Sequence, residues 1–377
     1  MNTTREAIEI VRFGTEELRN LSEVVASGVL DDRHRRGRFN RRFEELFRNW
    51  LGVPYACTVA SATAGLDLAL MALGIGRGDE VAVDPLVKFG AVATLHCGAT
   101  PVWIDVDPRS FLLDPDSLRR RVRPNLRAVI CTALFGHVPD LSHIVAVARA
   151  HGVAIIEDCS QAIGAWRDGV PAGTTGDFGV FSFQATKHVS TGDGGMVVTW
   201  DERLYDQVVQ LREHGWHPNP AARVGRVGWN HRMTELSAAV GVAQFGKLER
   251  ILDYHRAAAA LLTESTRGSA QLQVQSTSGV SRPSFWKWAA AFPPQRFDEV
   301  RAELARVRSS LKLGLYPAGP AYNRPAMAHA RPSDGGCPIA ERLAANVLVM
   351  NLDCVTPLQS IDREAETLAG VIDRLAL

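Results

Sequence analysis

The sequence predicts an α/β fold. A large domain over residues 1–250 is built on a mostly parallel sheet flanked by helices, and a smaller C-terminal α+β domain covers residues 251–377. Three observations carry that expectation. From residue 55 to residue 158, short apolar runs alternate with helical patterns, as in parallel strands joined by crossover helices. From about residue 251 the rhythm stops, and a polar Ser-, Gly- and Gln-rich stretch over 267–283 reads as a linker or irregular edge. The 377 residues are 46% hydrophobic and 22% charged, an ordinary globular composition with material for two domains.

In chain order, residues 15–27 read as a helix. Leu18, Leu21, Val24 and Val25 recur at helical spacing, and Gly28 stands where it can close the helix. Asp31-Asp32-Arg33-His34-Arg35-Arg36-Gly37-Arg38 carries both signs of charge and no interleaved aromatics. It reads as a solvated loop, with a subunit or substrate-phosphate contact as the alternative. Residues 39–51 form a second helix, with Phe43, Leu46, Phe47 and Trp50 on a core face. A strand over 55–59 leads through Ala60-Ser61-Ala62-Thr63-Ala64-Gly65 into a helix over 66–73. Small residues at a helix entry let backbone N–H groups approach an anion, and they also permit tight packing.

Strands over 79–83, 100–104 and 128–134 alternate with helices over 90–97, from Leu113 onward, and over 139–152. Phe89, just past a strand end, can stack on a flat ring or fill core. After residue 200, a helix over 202–212 ends in a loop with His214 and His217. These lack a third ligand at metal spacing, so no metal is expected. Residues 225–229 are Gly-rich, and residues 234–254 read as one long helix capped by Thr234. The C-terminal part reads as an aromatic strand over 284–292, a helix over 297–307, a strand over 312–316 and a rigid loop over 316–322. A helix over 337–347, a strand over 347–352 and a last amphipathic helix over 362–377 complete it.

The chemistry concentrates between residues 153 and 199. An apolar strand ends on Glu157 and Asp158. A second apolar run, residues 178–183, leads to Gln184-Ala185-Thr186-Lys187, and Thr191-Gly192-Asp193-Gly194-Gly195 turns into another strand. Acid and lysine at strand ends stand where open α/β sheets bind ligands. The simplest chemistry that needs both is a Schiff-base lysine with a carboxylate that keeps a pyridinium nitrogen protonated, the protein's part in a pyridoxal 5'-phosphate (PLP) site.

Charge and composition exclude other classes. A net charge of +1 argues against a nucleic-acid surface. Six scattered cysteines, with no CxxC pair, read as buried reduced thiols. The N-terminus lacks a signal-like apolar core and no run is long enough to span a membrane, so a cytoplasmic enzyme is expected. No GxGxxG follows an early strand, which disfavours a dinucleotide-binding oxidoreductase.

Taken together, the motifs resemble the DegT/DnrJ/EryC1/StrS family, the sugar and cyclitol aminotransferases of the PLP-dependent aspartate-aminotransferase fold (fold type I). The resemblance runs nearly end to end. It includes Ser61-Ala62-Thr63-Ala64-Gly65, Gly78-Asp79-Glu80-Val81, Glu157-Asp158 with Gln161-Ala162, and Gly176-Asp177-Phe178-Gly179. Thr186-Lys187, Gly192-Asp193-Gly194-Gly195, Asn230 with Arg232-Met233-Thr234-Glu235, and Cys337-Pro338-Ile339-Ala340-Glu341 continue it.

The resemblance implies roles. Lys187 would be the Schiff-base lysine and proton shuttle, and Asp158 would pair with the pyridinium nitrogen. Gln161 would reach the ring hydroxyl, with Phe89 stacked on one ring face and Ala162 against the other. Ala62, Thr63 and Ser182 would hold the phosphate. Asn230 would reach the phosphate of a neighbouring subunit's cofactor, which implies a homodimer with shared sites. The implied reaction moves an amino group from glutamate or glutamine, through pyridoxamine phosphate (PMP), to a keto sugar or keto cyclitol in secondary-metabolite or amino-sugar biosynthesis. Two departures bear on the substrate. Lys88 stands where the family often has a hydroxyl residue. Phe285-Trp286-Lys287-Trp288 replaces an aromatic–His–x–aromatic strand, so Lys88, Trp286 and Trp288 are candidate substrate contacts. A PLP-dependent sugar dehydratase is the alternative, but such relatives typically carry His at the lysine position. A non-catalytic regulator is disfavoured by the intact Lys187, Asp158 and Gln161.

Overall fold

A computed structural model of the chain describes residues 10–216, 219, 227–315, 319–332 and 336–377. His217, Gly225 and residues 316–318 of the expected rigid loop lie outside the described residues. The helices and strands, in chain order, are α1 (Thr15–Ser27), α2 (Arg38–Leu51), β1 (Tyr55–Val59), α3 (Ala62–Ala72), β2 (Glu80–Val83), α4 (Phe89–His96), β3 (Thr100–Trp103), α5 (Pro115–Arg121) and β4 (Leu126–Thr132). Then come α6 (Leu141–Ala150), β5 (Ala154–Asp158), β6 (Trp166–Arg167), β7 (Val170–Pro171), β8 (Phe178–Ser182), β9 (Gly195–Thr199), α7 (Glu202–Arg212), α8 (Glu235–Phe245) and α9 (Leu248–Glu264). The rest are β10 (Gln273–Val274), β11 (Lys287–Ala291), α10 (Phe297–Val307), β12 (Lys312–Leu313), α11 (Pro338–Ala345), β13 (Val347–Asn351) and α12 (Leu358–Leu375).

Seven strands form the first sheet in the order β1-β9-β8-β5-β4-β2-β3. β9 runs antiparallel to β1 and β8, and the remaining neighbours pair in parallel. The fold is therefore the mostly parallel α/β sheet the sequence predicts. Its strands are mostly apolar on both faces, polar chiefly at their ends, because helices cover both faces. β8 shows the alternation: Phe178 and Val180 pack with Leu66, Leu204 and Val208 on one face, and Phe181 packs with Phe43 and Phe47 on the other. Phe47 lies edge-on to Phe181, with centroids 4.9 Å apart. Truncating such a ring to alanine costs about 3–5 kcal/mol.

The second sheet, β10-β11-β13-β12, is antiparallel. One face packs on α9, α10 and α12, with Ile10 from before α1 joining that cluster. The other face places Ala289, Val347 and Val349 against the first core.

Two expectations need correction. The long helix over 234–254 is two helices. Lys247 has φ −100° and ψ −3°, which interrupts the ladder, and its Nζ turns away to Glu17 at 2.6 Å. The charged segment before α2 is only partly solvated. Asp32 is buried and takes a bond from Arg212 Nη2 at 2.9 Å, and Arg35 pairs with Glu44 at 2.6 Å. The Glu235 carboxylate accepts from the N–H groups of Phe39 and Asn40 at 2.9 and 2.8 Å, so an acid on α8 caps the start of α2.

Candidate active site

β1, β5 and β8 point the same way, so their C-terminal ends meet along one edge of the sheet, where open α/β sheets bind ligands. A cleft of about 330 Å³ opens there. β5 delivers Asp158 and, on the turn after it, Ser160 and Gln161. β8 delivers Ser182, and the loop after it Gln184, Thr186 and Lys187. The N-terminus of α3 delivers Ser61, Ala62 and Thr63, while Phe89 starts α4 and Trp286 reaches in from the second sheet.

The two adjacent acids have opposite fates because β5 alternates. Glu157 turns away and accepts from the N–H groups of Gly173, Thr175 and Gly176 at 2.7–2.8 Å, a structural role. Asp158 faces the cleft, 2% exposed. Burial pushes its carboxyl up, while Ser160 and the charge of Lys187 pull it down. Ser160 N donates to its Oδ1 at 3.0 Å, an Asx turn that fixes the carboxylate.

Lys187 is partly buried, and burial lowers its amine to about 7. The Asp158 charge opposes that shift, and the Lys287 ammonium adds to it. Its Nζ lies 3.5 Å from the centroid of the Trp286 ring, and Trp286 is anchored by Nε1 donating to Thr186 O at 2.8 Å. Gln161 is fixed as well, its Oε1 accepting from Phe135 N at 2.9 Å. Phe135 is in the left-handed region (φ 60°), a strained conformation for an aromatic residue.

At the α3 end, Ser61 caps the helix by accepting from Ala64 N at 3.1 Å. The N–H groups of Ala62 and Thr63 are in the first turn, where an α-helix has no carbonyl to offer them, and they face the cleft with the helix dipole behind them. Gly195 makes room for that turn: a Cβ there would stand 2.8 Å from Ala62 N and from Phe181 O.

Not every expected residue joins the cleft. Trp288 is a correction. It is 1% exposed, packs in the second sheet's core and donates from Nε1 to Thr263 Oγ1 at 3.1 Å. The sequence pattern pairs it with Trp286, but Trp286 stands just before β11, its indole held by Thr186 O at the cleft, while Trp288 lies within the strand and turns to α9. Ala162 is fully buried among core side chains and does not line the cleft. Lys88 stands beside the cleft, its Nζ 5.2 Å from the Phe89 centroid. Asn230 lines a different cleft, of about 640 Å³, with Arg33, His34, Glu213 and Arg232.

Sequence reasoning missed Ser160, Asp193, Trp286's neighbour Lys287 and Arg12. The Asp158-x-Ser160 spacing was a readable Asx-turn signal. Among the described residues no group of three His, Cys, Asp or Glu is arranged to hold a metal, and no helix is long and apolar enough to cross a membrane. The six cysteines are free, five of them buried.

A sequence profile of the DegT/DnrJ/EryC1/StrS aminotransferase family matches residues 12–368. The chain belongs to that family. Within it, the chain is 42% identical over 223 residues to a GDP-perosamine synthase of Caulobacter vibrioides, a match covering 59% of each chain. It is 33% identical over 278 residues to a GDP-perosamine synthase of Vibrio cholerae, covering 72% of this chain and 73% of that one. Among solved structures, S. venezuelae DesV, in complex with a ketimine intermediate, superposes with a TM-score of 0.85 at 29% identity, over 96% of this chain and 94% of that one. The fold is that of the PLP-dependent aminotransferases, as the family motifs imply.

The cleft's donor set fits such a cofactor. A phosphate suits the open helix end with the Ser182 hydroxyl, a pyridine nitrogen suits a buried carboxylate, and an aldehyde suits an amine that is half neutral near pH 7.

Proposed function

We propose that this chain is a PLP-dependent aminotransferase that carries an amino group from glutamate or glutamine to a keto sugar, in amino-sugar biosynthesis. The observation that carries the reading is Lys187, an amine lowered to about 7, sharing a cleft with buried Asp158. Because two relatives are named GDP-perosamine synthase, a GDP-linked keto sugar is the first acceptor to try.

PLP supplies an electron sink that stabilises charge at the carbon losing its proton. This chain's residues do the rest. Ala62, Thr63 and Ser182 would hold the phosphate, and Asp158 would keep the ring nitrogen's proton. Gln161 would meet the ring hydroxyl and Phe89 would cover one ring face. Lys187 as a neutral amine would take the proton from the substrate carbon and hold it as an ammonium until it is given back. Such a positioned base is worth about 10²–10⁴ in rate. Trp286 roofs the amine and excludes water, and with Lys88 at the rim it faces the acceptor.

We extend the reading to a homodimer in which Asn230 acts in the partner's site, since Asn230 lies away from its own chain's cleft. Mixing inactive Lys187→Ala and Asn230→Ala proteins then restores activity in hybrid dimers, and no restoration overturns that extension. The reaction itself is tested by loading the protein with PMP and screening keto sugars and keto cyclitols for return of the aldehyde-form spectrum. A keto-deoxy product in place of an amino product would favour the dehydratase.

A further inference from the structure

Arg12 precedes α1 and lies in no element, yet its side chain is 12% exposed and ties three parts of the molecule together. Nη2 donates to Lys187 O at 2.6 Å and to Ala185 O at 2.9 Å, the carbonyls on either side of Thr186. Nη1 donates to Asp353 Oδ1 at 3.0 Å, in the loop between β13 and α12. The Arg12 backbone is itself held. Its carbonyl accepts from Gln244 Nε2 and, at 3.1 Å, from Lys247 Nζ, at the break between α8 and α9.

The loop that Arg12 grips is exposed at Gln184, Ala185 and Thr186; it is closed locally by Lys187 N donating to Gln184 O at 2.8 Å and by Thr186 N donating to Gln184 Oε1 at 2.9 Å, and Trp286 Nε1 holds the Thr186 carbonyl at 2.8 Å. The Ala185 and Lys187 carbonyls are left to Arg12, and exposed turn bonds alone do little to fix a loop. A guanidinium presents its donors in a rigid planar fork, so it can set the spacing of two carbonyls as well as bind them.

We infer that Arg12 is a positioning residue: it fixes the backbone from which Lys187 reaches the reacting carbon, and through Asp353 it makes that placement depend on the second sheet's packing. The inference rests on the role proposed above for Lys187. It also gives a reason for the break after α8, which brings Gln244 and Lys247 together on the Arg12 carbonyl.

The test uses Arg12→Ala, Arg12→Lys and Asp353→Asn. In the cofactor-free protein, amide exchange of peptides covering residues 184–188 becomes at least about tenfold faster in Arg12→Ala, while peptides from β4 and β5 exchange as in the wild type. In the loaded protein kcat falls about 10- to 100-fold, the cost of misplacing a reacting group by about 1 Å, with KM values within about twofold. Arg12→Lys recovers part of the loss. Unchanged exchange at residues 184–188 with unchanged kcat in folded Arg12→Ala overturns the inference. If Arg12→Ala does not fold, Asp353→Asn decides: a fall in kcat supports the inference, and wild-type kcat overturns it. Cofactor absorbance retained in these variants, but lost in Lys187→Ala, separates a failure here from a failure of the proposed function.

Discussion

Replacing Lys287 with methionine should raise the titration midpoint of Lys187. The two ammonium nitrogens lie 3.5 and 4.5 Å from one ring centroid, that of Trp286. They are therefore no more than about 8 Å apart, close enough at a protein-like dielectric for a repulsion on the order of 1 kcal/mol. Lys187 stands at about 7, against an ordinary 10.5. Burial is the main cause, Asp158 opposes it and Lys287 adds to it. At pH 7 about half of the wild-type amine is neutral, against about one in 3,000 for an ordinary lysine. Removing the Lys287 charge lifts the midpoint by about one unit and cuts the neutral fraction at pH 7 to about a tenth. The assay is the rate at which cofactor-free protein takes up PLP, followed by absorbance from pH 5.5 to 9.5. The rate at pH 7 should fall about fivefold in Lys287→Met and converge with the wild type at high pH. Asp158→Asn should shift the midpoint the other way. A midpoint in Lys287→Met that is unmoved or lower refutes the electrostatic reasoning. The linkage also has a sign: the unfolded chain holds the Lys187 proton up to about pH 10.5 and the folded chain only to about 7, so this residue's contribution to stability rises with pH across that window.

Three further outcomes follow from the same packing and charge. Arg212→Met leaves Asp32 and Glu44 as buried acids without their shared cation. It should cost about 3–5 kcal/mol by denaturant titration, and a loss under about 1 would contradict the network. His137, His188 and His255 are buried with their titrations lowered, to about 4 for His137 and His255 and well below the usual value for His188, burial being the main cause. The unfolded chain takes protons there near pH 6.5, so stability is full above 6.5 and is lost as pH falls toward 4; His255→Asn should flatten that slope in pH-dependent melts. Gly195→Ala puts a methyl 2.8 Å from Ala62 N, so it should weaken PLP binding in calorimetry and cost about 1–3 kcal/mol in stability.

What the sequence made legible was local. The strand–helix rhythm, the Gly28 cap (φ 68°), the Thr234 cap and the Asp158–Lys187 pairing at strand ends depend on neighbours a few residues away or on the family's motif order. What it hid depends on distant partners. Asp32 is drawn inside by Arg212, 180 positions on, and the chain breaks after α8 where Lys247 meets Glu17, 230 positions back. Trp286 and Trp288 have the same parity and read as one face. Their partners separate them: Thr186 O, 100 positions back, holds one indole at the cleft and Thr263 holds the other in the core. Arg12 carried no motif at all, since its partners are backbone carbonyls.

The central claim is that the Lys187 amine moves the proton and, through PLP, the nitrogen. The most direct measurement is conversion of a GDP-linked keto sugar with glutamate as donor, by wild-type protein and by purified, folded Lys187→Ala, with product identified by mass. The account predicts an amino sugar from the wild type and none from the variant. Amino-sugar formation by Lys187→Ala at the wild-type rate would contradict it.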